Sequence, residues 1–355
     1  MDLGSFPSFR RTPESSDLKD GIECPDNYDL IGKYLLTLSL SPEMGRGWDE
    51  GEGKKANFCT IKLQSMNLTL FLDILIGGLM MGGLYSLIAV GLSLQYGVAR
   101  VLNVSHGEFI MLGAFAAYSL YILFGINPLL SLVITGPLIF IVGFLIHRTL
   151  FKRLKRLSPT MDAFEGSSLL ASFGLLFIIQ NVALLTWGSD IKGYSYLSKT
   201  VNFLGAVYAA NRLVALLFAI LIGIIFYYFL KRTRVGKAIR AAAQDVTTAQ
   251  LMGVNINFVL GLCFGLGALM AGIAGSLTSM MFEITPLIGF PYTIIAIIAV
   301  VLGGLGNILG SLIGGLILGL IGNIVMYIHP GLSLIAYYII FLLLLLIKPT
   351  GIFGK

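Results

Sequence analysis

From Leu70 to Ile347 the chain is a succession of apolar runs separated by short polar breaks. Runs suited to crossing a bilayer as helices, which takes about 20 residues, fall at roughly 70–96, 106–124, 128–147, 168–187, 212–230, 256–281, 289–302, 307–328 and 331–347. The pattern predicts an all-α, polytopic transmembrane helical bundle. It has eight or nine spans, depending on whether the short 289–302 run crosses or re-enters. Residues 1–65 have no such period. Their one apolar run, Tyr34 to Leu40, is too short to span, and the sequence before it is acidic rather than basic, unlike a signal peptide. Met66 opens the apolar region abruptly. We expect Met66 to be the initiator and 1–65 to be upstream sequence; the alternative is a polar, unstructured tail.

Composition agrees with the pattern. Charged residues make up 12% of the chain and apolar ones 56%, against about 25% charged in an average soluble domain. The acids concentrate before Met66 and the cations after it, so the net charge of +6 belongs to the membrane region. Nothing in it suggests a nucleic-acid partner. Arg148, Lys152, Arg153, Lys155 and Arg156 follow the third run, and Lys231, Arg232, Arg234, Lys237 and Arg240 follow the fifth. Short Lys/Arg-rich loops stay in the cytoplasm, and two spans separate these loops, so both lie on one side. Counting back, Arg100 is cytoplasmic and the chain before Asp73 is outside.

Cys24, Cys59 and Cys263, with His106, His147 and His329, form no metal-ligand spacing. Glycines recur four apart at Gly78 and Gly82, at Gly306, Gly310 and Gly314, and at Gly315 and Gly319. Such spacing lets helices approach closely where the hydrophobic effect cannot drive association. Residues 82–94 and 265–277 share a faint similarity, and each precedes a polar break and another helix.

Two polar segments stand out. In "RVLNVSHGEF" (Arg100 to Phe109), Ser105 to Glu108 has the S-x-x-E pattern of a capping box, with Val104 and Phe109 placed as a hydrophobic staple. The favoured reading is a helix start near the cytoplasmic rim, with His106 a polar rim residue. The sharper alternative is a helix N-terminus that faces an anionic substrate group. In the second basic loop, Lys237 to Met252 reads as one alanine-rich helix stopped by Gly253. Ala238, Ala241, Ala242, Ala249 and Leu251 form its smooth face, and Arg240, Gln244, Asp245 and Gln250 are polar. It is either a solvated connector or a docking element.

Four blocks carry a family resemblance: "YGVARVLNVSHGEFIMLGAF", "LLASFGLLFIIQNVALLTWGSD", "GKAIRAAAQDVTTAQLMGVN" and "VLGGLGNILGSLIGGLILG". In this order they resemble the permease subunits of branched-chain amino acid ABC importers, over about Met66 to Lys355. The resemblance implies the ABC importer permease fold in the inner membrane and a pore-forming role. It implies a second homologous permease, two cytoplasmic ATP-binding subunits and an extracytoplasmic substrate-binding protein as partners. It also implies that the cytoplasmic loop at about 231–254 couples to an ATPase, through Gly236, Arg240, Ala241, Asp245 and Gly253. In the first block the match falls on Asn103, His106, Gly107 and Phe109, and Ser105 stands where the family commonly has alanine.

The residues agree on one point. No G-x-x-x-x-G-K-S/T sequence occurs, so no P-loop cradles ATP here, and any ATP is expected to be used by partner subunits, with no cofactor in this chain. No G-x-S-x-G, H-E-x-x-H or paired carboxylates suggest an enzyme. An ion-coupled carrier would be expected to show acids or bases at mid-span, whereas Asp73, Glu108, Asp190 and Glu283 fall near predicted span ends. Substrate-binding residues are not readable. Branched-chain amino acids are favoured, with urea, short amides and other amino acids as alternatives.

Overall fold

A computed structural model describes residues 68–203, 206–348 and 350–354. Residues 1–65 and Met66 lie outside the described residues. The chain runs α1 (Leu68–Ala99), α2 (His106–Phe124) and α3 (Pro128–Ile146), which continues through a π-helical turn (His147–Phe151) into α4 (Lys152–Leu157). Then come α5 (Met161–Trp187), strands β1 (Thr200–Phe203) and β2 (Ala206–Ala209), α6 (Ala210–Arg232), α7 (Arg234–Gln244) and α8 (Val246–Leu251). The last elements are α9 (Ile256–Met281), α10 (Gly289–Gly303), α11 (Ile308–Ile328) and α12 (Ser333–Ile347).

Seven helices among the described residues are long and apolar enough to cross a membrane. The shorter apolar helices α10 and α12 account for the other two predicted runs. The first basic segment is helical rather than a loop, because α3 continues unbroken past His147 into α4. The expectation of purely helical structure needs one amendment. On the side away from the basic segments, β1 and β2 form a small antiparallel hairpin with Thr200 opposite Ala209. Nearby, Lys192 and Ile284 exchange backbone hydrogen bonds of 2.9 and 2.8 Å, tying the segment after α5 to the segment after α9.

Several helices start on a side-chain cap, which matters where water cannot satisfy the first N–H groups. Asn127 accepts from Leu129 N at 3.0 Å, Asn255 from Phe258 N at 3.2 Å, and Asn307 from Gly310 N at 3.0 Å. α1 and α9 form the enclosed centre, and α5 and α6 turn apolar side chains such as Leu185 and Leu217 outward, as lipid-facing helices do. α1 and α9 pack antiparallel: Gly91 lies against Gly267, and Gln95 lies beside Phe264. These are the two segments with the faint sequence similarity, so the related pieces run in opposite directions.

The spaced glycines serve three contacts. Gly315 and Gly319 lie on α1 at Ser86 and Gly82, while Gly310 and Gly314 lie on α10 at Gly303 and Ala299. Gly306 is not part of a helix. It sits in the turn before α11 at φ +79, where a left-handed residue is needed, with its backbone against Gly97.

Candidate functional site: a buried polar knot and a helical hairpin

Arg100 marks the exposed end of α1, but the chain then turns inward. Asn103, Ser105, His106 and Glu108 are fully buried. His106 Nε2 donates to the carbonyl of Ile88 at 3.1 Å, eleven residues back from Ala99 on α1. Eleven residues of helix rise roughly 16 Å, so α2 begins well inside the bundle rather than at the rim.

The capping box does not form. Ser105 has the N-cap position but its side chain makes no cap bond. Its hydroxyl and its N–H both donate to Asn103 Oδ1, at 2.6 and 3.1 Å. That leaves no Ser105 N–H for Glu108 to accept from, and the Glu108 N–H bonds the Ser105 carbonyl instead, at 3.0 Å. A competing side chain two residues upstream captured the cap.

The groups that hold this break come from four helices. Gln95 of α1 donates to Phe264 O of α9 at 3.0 Å and accepts from Asn103 Nδ2 at 3.3 Å. Ser172 of α5 accepts from Val104 N at 3.1 Å. Thr293 of α10 donates to Val104 O at 3.0 Å and accepts from Gly107 N at 2.8 Å, so it serves the broken backbone twice. Sequence reading missed Gln95, Ser172 and Thr293. Their one signal was being polar inside apolar runs.

Glu108 differs from the rest. Neither carboxylate oxygen has a hydrogen-bond partner among the described residues, and Gly289, the first residue of α10, packs directly on it. It lies in the first turn of α2 and against the start of α10, so the positive ends of two helices face one carboxylate. The field that could have held a substrate anion is taken by the protein's own side chain. The arrangement pairs no nucleophile with a base, and among the described residues no His/Cys/Asp/Glu group is placed to hold a metal. It can fix, or release, the meeting of two helix starts inside the membrane.

The expected single rod at 237–252 is two helices. Asp245 adopts an extended backbone (φ −151, ψ 114) that ends α7 and caps α8. Its Oδ1 accepts from Thr247 N at 2.8 Å, and its Oδ2 accepts from the Thr248 hydroxyl. The Thr248 hydroxyl and the Thr247 and Thr248 N–H groups hold the Asp245 carboxyl below the usual carboxylate range. Asp245 therefore punctuates the hairpin rather than decorating a helix face. Thr233 caps α7, accepting from Gly236 N at 2.9 Å. Gly253 takes φ +83 just beyond α8, where a left-handed glycine ends a helix.

The hairpin rests on the bundle through Gly236, Ile239, Ala242 and Ala249, which are buried. Gly236 lies directly on the backbone of Phe229 and Leu230 at the end of α6. Ala241 and Leu251 point to solvent with Arg240 and Asp245, and Ile239 takes the inward place. Leu251, the last residue of α8, and Met252 just after it are 83% and 81% exposed.

An apolar groove of about 590 Å³ opens between α1, α6 and α11. Ser86, which lines it along with Tyr227 and Tyr228, is already bonded to Leu312 O at 2.7 Å. The groove suits hydrocarbon, not a charged ligand.

Residues 74–347 match the family described as "Branched-chain amino acid transport system / permease component". The chain is 31% identical over 307 residues to the high-affinity branched-chain amino acid transport system permease protein LivH of Salmonella typhimurium strain LT2, covering 80% of this chain and 96% of that protein. It is 32% identical over 313 residues to BraD, named as the corresponding permease of Pseudomonas aeruginosa, with the same coverage. Among solved structures, PsaBC from Streptococcus pneumoniae in complex with Fab aligns with a TM-score of 0.45 at 13% identity, covering 78% of this chain and 92% of that one.

Proposed function

Because this chain belongs to the family of branched-chain amino acid transport permease components, we propose that it forms half of an inner-membrane import pathway for leucine, isoleucine and valine. A second homologous permease completes the pathway, two separate cytoplasmic subunits burn the ATP, and an extracytoplasmic protein delivers the substrate. The observation that carries this reading is the collinear family match over 74–347. A hairpin with two exposed apolar side chains, Leu251 and Met252, supports it on the cytoplasmic side.

The working steps follow from what the hairpin touches. An ATPase that grips α7 and α8 moves them as it closes on nucleotide. Gly236 passes the displacement to the end of α6, and the Gly253 turn passes it to Asn255 and the start of α9. α9 carries the Phe264 carbonyl, which holds Gln95 and through it Asn103 and the start of α2. Motion at the cytoplasmic tip thus reaches the place where α2 and α10 meet, and shifting that contact opens one side of the pathway as it closes the other. Arg240 and Asp245 act in this scheme as the polar contacts of the grip.

The test is assembly and energetics together. The tagged chain should co-purify with two ATP-binding subunits, and leucine uptake should stop when ATP is depleted at a held ion gradient. Leu251→Asp should weaken the grip by about thirtyfold, as expected when a buried apolar anchor worth ~2 kcal/mol is lost, and uptake should fall with it. Uptake that continues without ATP, or full ATPase capture by Leu251→Asp, overturns the reading.

A further inference from the structure

At the end of the bundle that carries both basic segments, a cavity of about 200 Å³ lies between the end of α3 and the start of α9. Its volume is below that of drug-sized sites, about 300–1,000 Å³, so it suits one small group. Arg148 and Lys152, four residues apart, line it beside His147, and no acid is among its lining residues. Among the described residues neither cation is held in an ion pair or a hydrogen bond. Lys155, by contrast, is taken up by the Phe164 ring, 5.9 Å from its centroid. His147 is the buried member, only 5% exposed. The rings of Phe151 and Phe264, 6.5 and 5.8 Å away, hold it in place. No protein group bonds its nitrogens among the described residues, yet they are not sealed off as the Glu108 oxygens are. A buried N–H is costly unless something accepts from it.

The first turn of α9 lines the other side. Asn255 spends its Oδ1 on the Phe258 N–H, which leaves its amide NH₂ and that of Asn257 as donors at the same opening. A helix start adds partial positive charge there. Gly261, one turn on, keeps the space open: a Cβ would lie 3.0 Å from Phe144 Cε2 and 3.3 Å from His147 Nδ1. Each polar side chain of the lining can donate and two are cations, so an oxyanion is the match. The rings of Phe258 and Phe144 meet at 6.2 Å, and Phe140 stacks on Phe144 at 6.1 Å, one turn deeper along α3. An apolar path thus leads from the cavity toward the membrane interior.

We propose that this cavity seats the phosphate group of an anionic phospholipid on the inner surface of the membrane. Arg148 and Lys152 pair with the phosphate oxygens, His147 and Asn257 donate to them, and an acyl chain follows Phe144 and Phe140. The bound lipid ties the end of α3 to the start of α9. The assignment goes beyond the import reading and does not depend on which substrate is carried.

The probe is phosphatidylglycerol, titrated into phosphatidylcholine nanodiscs that hold the assembled transporter, with the melting temperature as the readout. The melting temperature should rise with phosphatidylglycerol content and saturate, as for a ligand of the folded state. Arg148→Gln and Lys152→Gln should each raise the content needed for half the effect by about fivefold, the scale of one cation acting on an anionic lipid. Arg148 is exposed and Lys152 half-buried, so both variants keep the fold. Arg153→Gln is the control for diffuse surface charge. It lies on the same segment but does not line the cavity, and it should leave the titration unchanged. Inorganic phosphate added to pure phosphatidylcholine nanodiscs separates the two sources of the group, and no effect is expected. Stabilisation by phosphate alone, lost in Arg148→Gln, keeps the phosphate site and makes a free ion its occupant. A titration that does not saturate, that Arg148→Gln and Lys152→Gln leave unchanged, or that Arg153→Gln weakens equally overturns the site.

Discussion

Gly107 and Gly289 meet backbone to backbone inside the bundle: a Cβ on Gly107 would lie 2.7 Å from the Gly289 carbonyl carbon and nearer still to its oxygen. The two residues begin α2 and α10, so the contact sets how closely two helix starts approach. Gly107→Ala must push backbone against backbone, and overpacking of that kind costs about 1–3 kcal/mol. The purified complex should melt at a lower temperature, and uptake should fall further than stability alone accounts for. Gly166→Ala is the control. Its site on α5 has nothing within 4 Å, so alanine there should be neutral or stabilise by about 0.5–1 kcal/mol.

Thr293 answers for two backbone groups at once, the Gly107 N–H and the Val104 carbonyl. Thr293→Val keeps the shape and removes both bonds. Buried polar groups within membrane helices contribute about 0.6–2 kcal/mol each, so a loss of about 1–3 kcal/mol is expected. Thr293→Ser keeps the hydroxyl and should recover most of that loss. Equal melting temperatures for valine and threonine would show that the hydroxyl does not hold the break.

Most of the helical architecture is legible because apolar runs of bilayer length have one stable answer in lipid. The helix pairs announced by glycine spacing are there too, since close approach leaves a mark in sequence. What could not be read were contacts between distant positions. Asn103 sits two residues before Ser105, so local pattern suggested a serine cap, yet nothing local said that Gln95 would hold Asn103 and aim its oxygen at Ser105. Nor did pattern place the break inside the bundle, because Arg100 argued for the rim and the turn inward depends on Ile88, Ser172 and Thr293. At Asp245 the failure was of another kind. Alanine-rich flanks favour one helix, but an aspartate that can cap Val246–Leu251 competes with continuing it.

Asp245 also makes the hairpin sensitive to acid. Its carboxyl is held below its unfolded value by the Thr248 hydroxyl and the Thr247 and Thr248 N–H groups. A lowered folded pKa means the stabilisation is complete above the ordinary value of about 3.9 and is lost as pH falls through the lower folded value. Amide exchange at Thr247 to Ala249 should therefore be flat with pH near neutrality, after correction for intrinsic rates, and lose protection below about pH 4. Asp245→Asn keeps a capping oxygen that does not titrate, so its protection should not change across that range. A parallel acid response in both proteins would mean the carboxyl is not the cause.

Sidedness underlies the ATPase grip, and labelling checks it directly. Cys263 is fully buried, so it should stay unlabelled by a membrane-impermeant maleimide in intact cells. With Cys24 and Cys59 replaced, single cysteines at Ser198 and Thr247 become the reporters, both at exposed positions. The basic segments after α3 and α6 place Thr247 inside, and α6 crosses between the two reporters, which places Ser198 outside. Ser198→Cys should therefore label in intact cells, and Thr247→Cys only after the membrane is opened. Labelling of Thr247→Cys from outside would invert the bundle. The hairpin would then face away from any cytoplasmic ATPase.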